Sequence, residues 1–211
     1  MIARLAAAAA LALLAGCATV TDRPPVSDVN AAFRARQADL AALNRWDLHG
    51  RVALRSESEG WNASLVWWRR SDRHRIDLAG PLGSGRVRLK QDADGAELHD
   101  SEQNVLHDSS AEALLARATG WQLPVNGLNY WVLGLPAPGS PNSVALDPWG
   151  RPATLEQQGW QVEYLDYAKF SGRELPSRLF LKRRSDAPAV APDAPATLEV
   201  RLVIERWVFG D

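Results

Sequence analysis

Alternation of apolar and polar residues is the feature that most limits what this chain can fold into. From Trp46 to Leu54, every second residue is apolar or glycine, and the residues between are mostly polar or charged. The pattern recurs at 61–67, 74–78, 87–90, 153–157, 159–167, 177–183 and 197–208. A period of two indicates strands with one buried face, and short connections favour antiparallel pairing. The sequence therefore predicts one antiparallel sheet with one apolar side.

Three segments have helical rather than strand spacing. Apolar residues recur every three or four positions from about 28 to 44, which predicts an amphipathic helix. A capping box at 109–112 precedes Leu114 and Leu115, and Gly120 follows as a helix stop. A third, short helix is predicted from Asn126 to Leu133, ending at the Gly-Leu-Pro of 134–136.

The outer strand faces are too charged to be covered, so the helices are expected on the apolar, concave side. This predicts a mainly β (α+β) fold: an incomplete antiparallel β-barrel, or half-barrel, with a three-helix lid over a hydrophobic cavity. Nine tryptophans against four Phe, three Tyr and one Met favour a roomy interior, because large rigid rings leave gaps. The alternative that these tryptophans simply fill a core stays open.

The amino terminus has the pattern of a bacterial lipoprotein precursor. Arg4 precedes an Ala- and Leu-rich run from Leu5 to Leu14, which is too short to span a bilayer. The run ends in Leu-Ala-Gly-Cys, a lipobox, so we expect cleavage after residue 16 and acylation of Cys17. An ordinary secretory signal with an incidental cysteine is the alternative.

We therefore expect a signal peptide at 1–16, a lipidated cysteine and flexible, proline-containing tether at 17–27, and one domain at 28–211. Cys17 is the only cysteine, so the fold must rest on core burial without disulfides. Ala18, rather than Asp, follows the cysteine, which by analogy with bacterial lipoproteins favours the outer membrane.

The sequence contains no motif that predicts catalysis, metal binding or cofactor binding. The glycine-rich 80–85 segment lacks the Lys of a phosphate loop and falls between two strands. The four histidines have no metal-ligand spacing, and the acidic pairs fall in polar, turn-like segments. Without the signal segment, 23 basic residues face 25 acidic ones, which gives no indication of nucleic acid binding. We expect no enzyme, no metal and no cofactor.

The 80–85 segment carries a different signal. Leu82 is a bulky apolar residue between Pro81 and Gly83, in a connection that should face water. An exposed apolar tip often marks a contact site, so Pro81, Leu82 and Gly83 are predicted to form a membrane-insertion loop. The alternative is that Leu82 folds back onto the end of the sheet.

These motifs together resemble the LolB family of outer-membrane lipoprotein receptors, over nearly all of the chain after the signal segment. The similarity rests on Gly50-Arg51, Trp67, Ile76-x-Leu78, Pro81-Leu82-Gly83, Leu123-Pro124, Trp131-x-x-Gly134-Leu135-Pro136 and Gly159-Trp160, in family order. It implies an open barrel whose cavity takes lipoprotein acyl chains from the soluble carrier LolA and passes them into the outer membrane. Leu82 matches the family's protruding leucine. The Ala- and Pro-rich insertion at 187–196 departs from the pattern.

The resemblance and the strand faces together predict the site. We expect cavity-lining side chains from the sheet and from the lid: Trp61, Leu65, Trp67, Ile76, Leu78 and Trp160, then Leu128 and Trp131. The expected partners are a LolA-like carrier, acyl chains and outer-membrane lipids, with the protein a monomer facing the periplasm. A lipid-anchored binder of another hydrophobic ligand and an envelope-assembly lipoprotein are the alternatives.

Overall fold

The structure is a computed structural model, which describes residues 23–57, 59–81, 85–184 and 197–210. The predicted lipidation site Cys17, the loop residues Leu82 and Gly83, and the 187–196 insertion lie outside this range. The helices are α1 (Val29–Ala41), α2 (Ala111–Thr119) and α3 (Val125–Trp131). The strands are β1 (Arg45–Arg55), β2 (Gly60–Arg70), β3 (Arg73–Ala79), β4 (Val87–Asp92), β5 (Gly95–His99), β6 (Val105–Asp108), β7 (Ser143–Leu146), β8 (Pro152–Gln157), β9 (Trp160–Phe170), β10 (Arg173–Arg183) and β11 (Glu199–Phe209).

The strands form one sheet of eleven, in the order β6-β5-β4-β3-β2-β1-β11-β10-β9-β8-β7. All neighbours are antiparallel, and β6 and β7 are its two edges. Alternation places one face of each long strand inside, as in β2, where Ala63, Leu65 and Trp67 are buried and the residues between them are exposed. The prediction of an open antiparallel half-barrel with helices is confirmed.

The first and last strands pair at the centre of the sheet, where a bulge lies between His49 and Gly50. A Cβ atom at Gly50 would lie 2.1 Å from the carbonyl oxygen of Val203 on β11. Only glycine allows two backbones to approach this closely, and a bulge increases the local bend of a sheet. The Gly-Arg motif at 50–51 therefore lies where β11 leaves no room for a side chain at position 50 of β1.

The two sheet edges are joined by residues 109–142, which we call the crossover segment and which carry α2 and α3. Ser110 caps α2 by accepting a 3.3 Å hydrogen bond from the amide of Ala113, and Gly120 ends the helix with φ of 73°. At its β6 end, Arg117 donates hydrogen bonds to Asp108 and to the carbonyl of His107. The segment thus starts firmly attached to one edge.

Helix α3 ends in a Schellman motif, which explains the Trp-x-x-Gly-Leu-Pro sequence. The amide of Leu135 donates to the carbonyl of Tyr130, and that of Gly134 donates to Trp131. Gly134 has φ of 75°, a conformation that favours glycine. Leu135 is buried, and Pro136 prevents the helix from continuing.

Helix α1 packs outside the crossover segment, near β7. Leu40 is buried, and the Arg36 guanidinium lies 3.5 Å from the carbonyl oxygen of Leu133.

Residues 23–27, predicted as part of a flexible tether, contact the domain. The carbonyl of Arg23 accepts a 2.9 Å hydrogen bond from the Trp149 indole, and the amide of Val26 donates to Pro148. This end of the predicted tether therefore contacts the 147–150 turn.

Candidate functional site

An apolar cavity lies between the concave face of the sheet and the crossover segment. Its walls come from five neighbouring strands, β4, β3, β2, β1 and β11, and its cover comes from α2, α3 and the link between them. Every lining residue is apolar: Val52, Leu54, Leu65, Trp67, Ile76, Leu78, Val87, Leu89, Leu115, Leu123, Val125, Leu128, Val200 and Leu202. Such a site can bind only by excluding water from hydrocarbon.

The cavity is small, with a volume of about 70 Å³. Pockets that hold drug-sized ligands have volumes of about 300 Å³ or more. The structure is therefore a nearly closed form of the site. A long hydrocarbon chain can enter only if the crossover segment or the side chains of the wall move.

Five of the eight side chains predicted to line the cavity do so: Leu65, Trp67, Ile76, Leu78 and Leu128. They belong to the apolar faces of β2 and β3 and to α3. Sequence reasoning missed the wall from β1 and β11, which includes Val52, Val200 and Leu202. Both strands show the apolar–polar alternation of a half-buried strand, but no local feature of the sequence indicates that the last strand pairs with the first.

Two predicted lining residues lie elsewhere. Trp131 is fully buried, and its Nε1 donates a 3.0 Å hydrogen bond to Gln157, so it attaches α3 to β8. Trp160 is buried on β9, which β10 separates from the cavity strand β11. Neither side chain lines the cavity: the Trp131 indole bonds to Gln157 on β8, and Trp160 is buried in the core on β9.

Trp61, the third such residue, lies at the rim. It is partly buried at the start of β2, and its ring centroid is 5.6 Å from that of Trp121, which follows α2. Its indole nitrogen is 3.9 Å from the position of a Cβ atom built on Gly85. Trp61 therefore connects the end of α2 with the base of the loop between β3 and β4.

Of the predicted membrane-insertion loop, only Pro81 is described, and it is exposed. The loop follows the end of β3, whose Ile76 and Leu78 line the cavity. Gly85, on its other side, has φ of 59°. The loop therefore leaves and re-enters the sheet beside the cavity wall.

Trp67 on the cavity wall forms a hydrogen bond to a polar side chain, that of His74. Its indole Nε1 donates a 3.4 Å hydrogen bond to Nδ1 of His74. Burial, and then the neighbouring Arg69 guanidinium, lower the pKa of His74 from its usual 6.5 to about 4. The imidazole is therefore neutral at pH 7 and can accept this bond.

Within the described ranges, no three His, Asp or Glu side chains are grouped so that they could hold a metal ion. None of the described helices is both long enough and apolar enough to cross a bilayer.

Comparison with known proteins places this geometry in a family. A family model described as outer membrane lipoprotein LolB matches residues 44–207. The outer-membrane lipoprotein LolB of Nitrosococcus oceani is 38% identical over 201 residues, covering 95% of this chain and 94% of that protein. The protein of the same name from Pseudomonas putida is 39% identical over 199 residues, covering 93% and 91%.

Among solved structures, a putative outer membrane lipoprotein-sorting protein domain from Vibrio parahaemolyticus superposes with a TM-score of 0.50 at 11% identity. It covers 85% of this chain and 91% of that domain, and at this identity it supports the fold alone. The family model and the relatives at 38–39% identity are specific, since they span the sheet, the crossover segment and the cavity. The chain belongs to the outer-membrane lipoprotein LolB family.

Proposed function

We propose that this protein is a receptor, not an enzyme, that accepts acylated proteins from a LolA-like periplasmic carrier and passes them into the outer membrane. The observation that carries the proposal is the cavity, whose lining is apolar throughout and which the crossover segment covers. Cys17 would bear the lipid that holds the receptor at its target membrane, facing the periplasm.

Transfer of this kind needs no nucleotide. Exposing an acyl chain to water costs about 0.8 kcal/mol per methylene, so a free chain does not cross the periplasm alone. Movement from one apolar cavity to another, and then to a bilayer, changes exposure little at each step. A series of increasing affinities is therefore sufficient to drive the cargo outward.

The crossover segment is the part that can open the cavity. It is attached near both edges of the sheet, by Arg117 at the edge strand β6 and by Trp131 at β8, the strand next to the edge. Leu123 in the link and Leu128 on α3 lie between these points and reach the cavity, as does Leu115 on α2 just before Arg117. Outward movement of this middle part would widen the cavity without breaking any strand pairing.

Leu82 is assigned to delivery. An apolar side chain at the tip of the 80–86 connection can enter the lipid interface and disturb packing beside the cavity. Because β3 supplies cavity wall up to Leu78, a chain leaving the site has a short path to the membrane at this loop.

The test is a two-stage assay with a labelled, acylated protein, first from carrier to receptor and then from receptor to outer-membrane vesicles. The mature receptor is expected to complete both stages, and the same cargo without acyl chains should fail at the first. A Cys17→Ala form should still accept cargo. Transfer of unacylated cargo, or no uptake from the carrier, would contradict the proposal.

A further inference from the structure

The concave face changes from apolar to polar along three neighbouring strands. The polar residues are direct partners in the register: Arg69 on β2, His74 on β3 and Gln91 on β4. Each lies two positions along its strand from a residue of the cavity wall, namely Trp67, Ile76 and Leu89. Residues two apart on a strand share a face, so the polar row continues the cavity wall.

Helix α3 covers both parts. Its Val125 and Leu128 reach the cavity, whereas the adjacent Asn126 and Asn129 line an open pocket of about 680 Å³ above the polar row. We call this the polar pocket; its main polar residues are Arg69, His74, Gln91, Asn126, Asn129 and Tyr130. The hydrogen bond from Trp67 to His74 joins it to the cavity.

The polar pocket holds hydrogen-bonding groups that are not used within the fold. Asn129 is only 7% exposed, and its Oδ1 has no hydrogen-bond partner among the described residues. Oε1 of Gln91 likewise has no hydrogen-bond partner among the described residues. Buried polar atoms are normally paired, so these two carboxamide oxygens in one pocket are available to accept hydrogen bonds from a ligand.

Arg69 lies in the same polar pocket. Its Nε donates a 3.0 Å hydrogen bond to the carbonyl of Ser71, and no carboxylate of the described residues lies within 4.0 Å of its guanidinium. Burial lowers the pKa of Arg69, although it remains charged at neutral pH. A guanidinium beside two carboxamides offers donors for carbonyl oxygens together with acceptors for N–H groups.

We propose that the polar pocket binds the amide and ester groups of an acylated protein N-terminus while its hydrocarbon chains occupy the cavity. This inference rests on the proposed function. It identifies the amide and ester groups as the part of the cargo that fixes the cargo's position in the site. A carboxamide can pair with a secondary amide, because its oxygen accepts from an N–H group and its NH2 group donates to a carbonyl oxygen. A phosphate has only acceptors to offer Asn129 and Gln91, and Asp72 at the pocket wall would repel it.

The test compares two ligands of equal chain length on the mature chain carrying Cys17→Ala. One is N-hexadecanoyl-Cys-Ser amide, and the other is hexadecyl methyl ether, which lacks amides. We expect about tenfold tighter binding of the amide, the effect of one or two hydrogen bonds. In Asn129→Leu this preference should fall to about twofold or less, with ether affinity unchanged.

Stability separates this role from a structural one. Leu has nearly the shape of Asn and leaves no unpaired group, so Asn129→Leu should unfold at the same or a higher temperature. Asn142→Leu, at an exposed position outside the pocket, is the matched control. Arg69→Met is a second variant, expected to lose the same preference.

Each other outcome has a defined meaning. Equal binding of the two ligands by the wild-type sequence would overturn the polar pocket and leave the proposed function intact. Equal loss of both ligands in Asn129→Leu would make Asn129 a packing residue and would also overturn it. Asn129-dependent binding of a lysophospholipid, but not of the acyl peptide, would reassign the pocket to membrane lipid. Failure of the wild-type sequence to bind either ligand would contradict the proposed function itself.

Discussion

The indole Nε1 of Trp131 donates a 3.0 Å hydrogen bond to Oε1 of Gln157, which joins the end of α3 to β8, the strand next to the edge strand β7. Gln157 is only 2% exposed, and it also accepts from the amide of Ala137 and donates to its carbonyl. One side chain thus fixes both the end of the helix and the chain that follows it. The crossover segment has a firm attachment here.

We expect Gln157→Leu to lower the free energy of unfolding by about 2–4 kcal/mol, because it leaves buried groups of Trp131 and Ala137 without partners. Trp131→Phe removes one donor and keeps a ring, so about 1 kcal/mol is expected. Urea unfolding of both variants and of the double variant gives the coupling energy. Strictly additive losses would show that this hydrogen bond does not hold α3.

A larger side chain in the cavity should block binding without unfolding the protein. Leu65 is 6% exposed and lines the cavity, so we expect Leu65→Trp to cost about 1–3 kcal/mol of stability and to abolish uptake of acylated cargo. Leu165→Trp on β9 is the matched control, because Leu165 is 61% exposed. Normal uptake by a folded Leu65→Trp variant would remove this wall from the binding site.

Leu82→Glu should separate receipt from delivery. A charge on a side chain that must enter hydrocarbon costs a few kcal/mol, so transfer to vesicles should fall while uptake from the carrier survives. Leu165→Glu adds the same charge at an exposed position and should affect neither stage. Equal loss at both stages would point to a folding role for Leu82, and no loss at either stage would contradict membrane contact.

Stability should fall in mildly acidic solution because of His74. Its folded pKa of about 4 lies below the usual 6.5, so the unfolded chain binds the proton more tightly. The free energy of unfolding should therefore decrease as the pH falls from about 6.5 to about 4, by no more than about 3 kcal/mol. His74→Gln should flatten this part of the curve, as measured by urea midpoints across the range. An unchanged slope would show that His74 is not the group responsible.

The long alternating strands and the capped helices could be predicted from the sequence because their signals are local. The first helix ends at Ala41 rather than near residue 44, since its apolar spacing continues into the link before β1. Strands β5, β6 and β7 were not predicted. They have five, four and four residues, too few for a clear period, and they form by pairing with neighbours.

Cavity-lining residues could be predicted where the alternation within a single strand was sufficient, as for Leu65 and Ile76. Which part of the concave face the helices cover depends on the sheet order, and that order places β11 beside β1. This is why Val200 and Leu202 were missed and Trp160 was wrongly included. The partner of Trp131 lies 26 residues away, beyond any local pattern.

The pairing of β1 with β11 also determines when the protein can become active. Arg55 pairs with Glu199, so this contact closes a loop of more than half the chain, and contacts so distant in sequence form slowly. Val200 and Leu202 on β11 complete the cavity wall. A chain that folds from its amino end therefore has no complete cavity wall until its last strand pairs with its first.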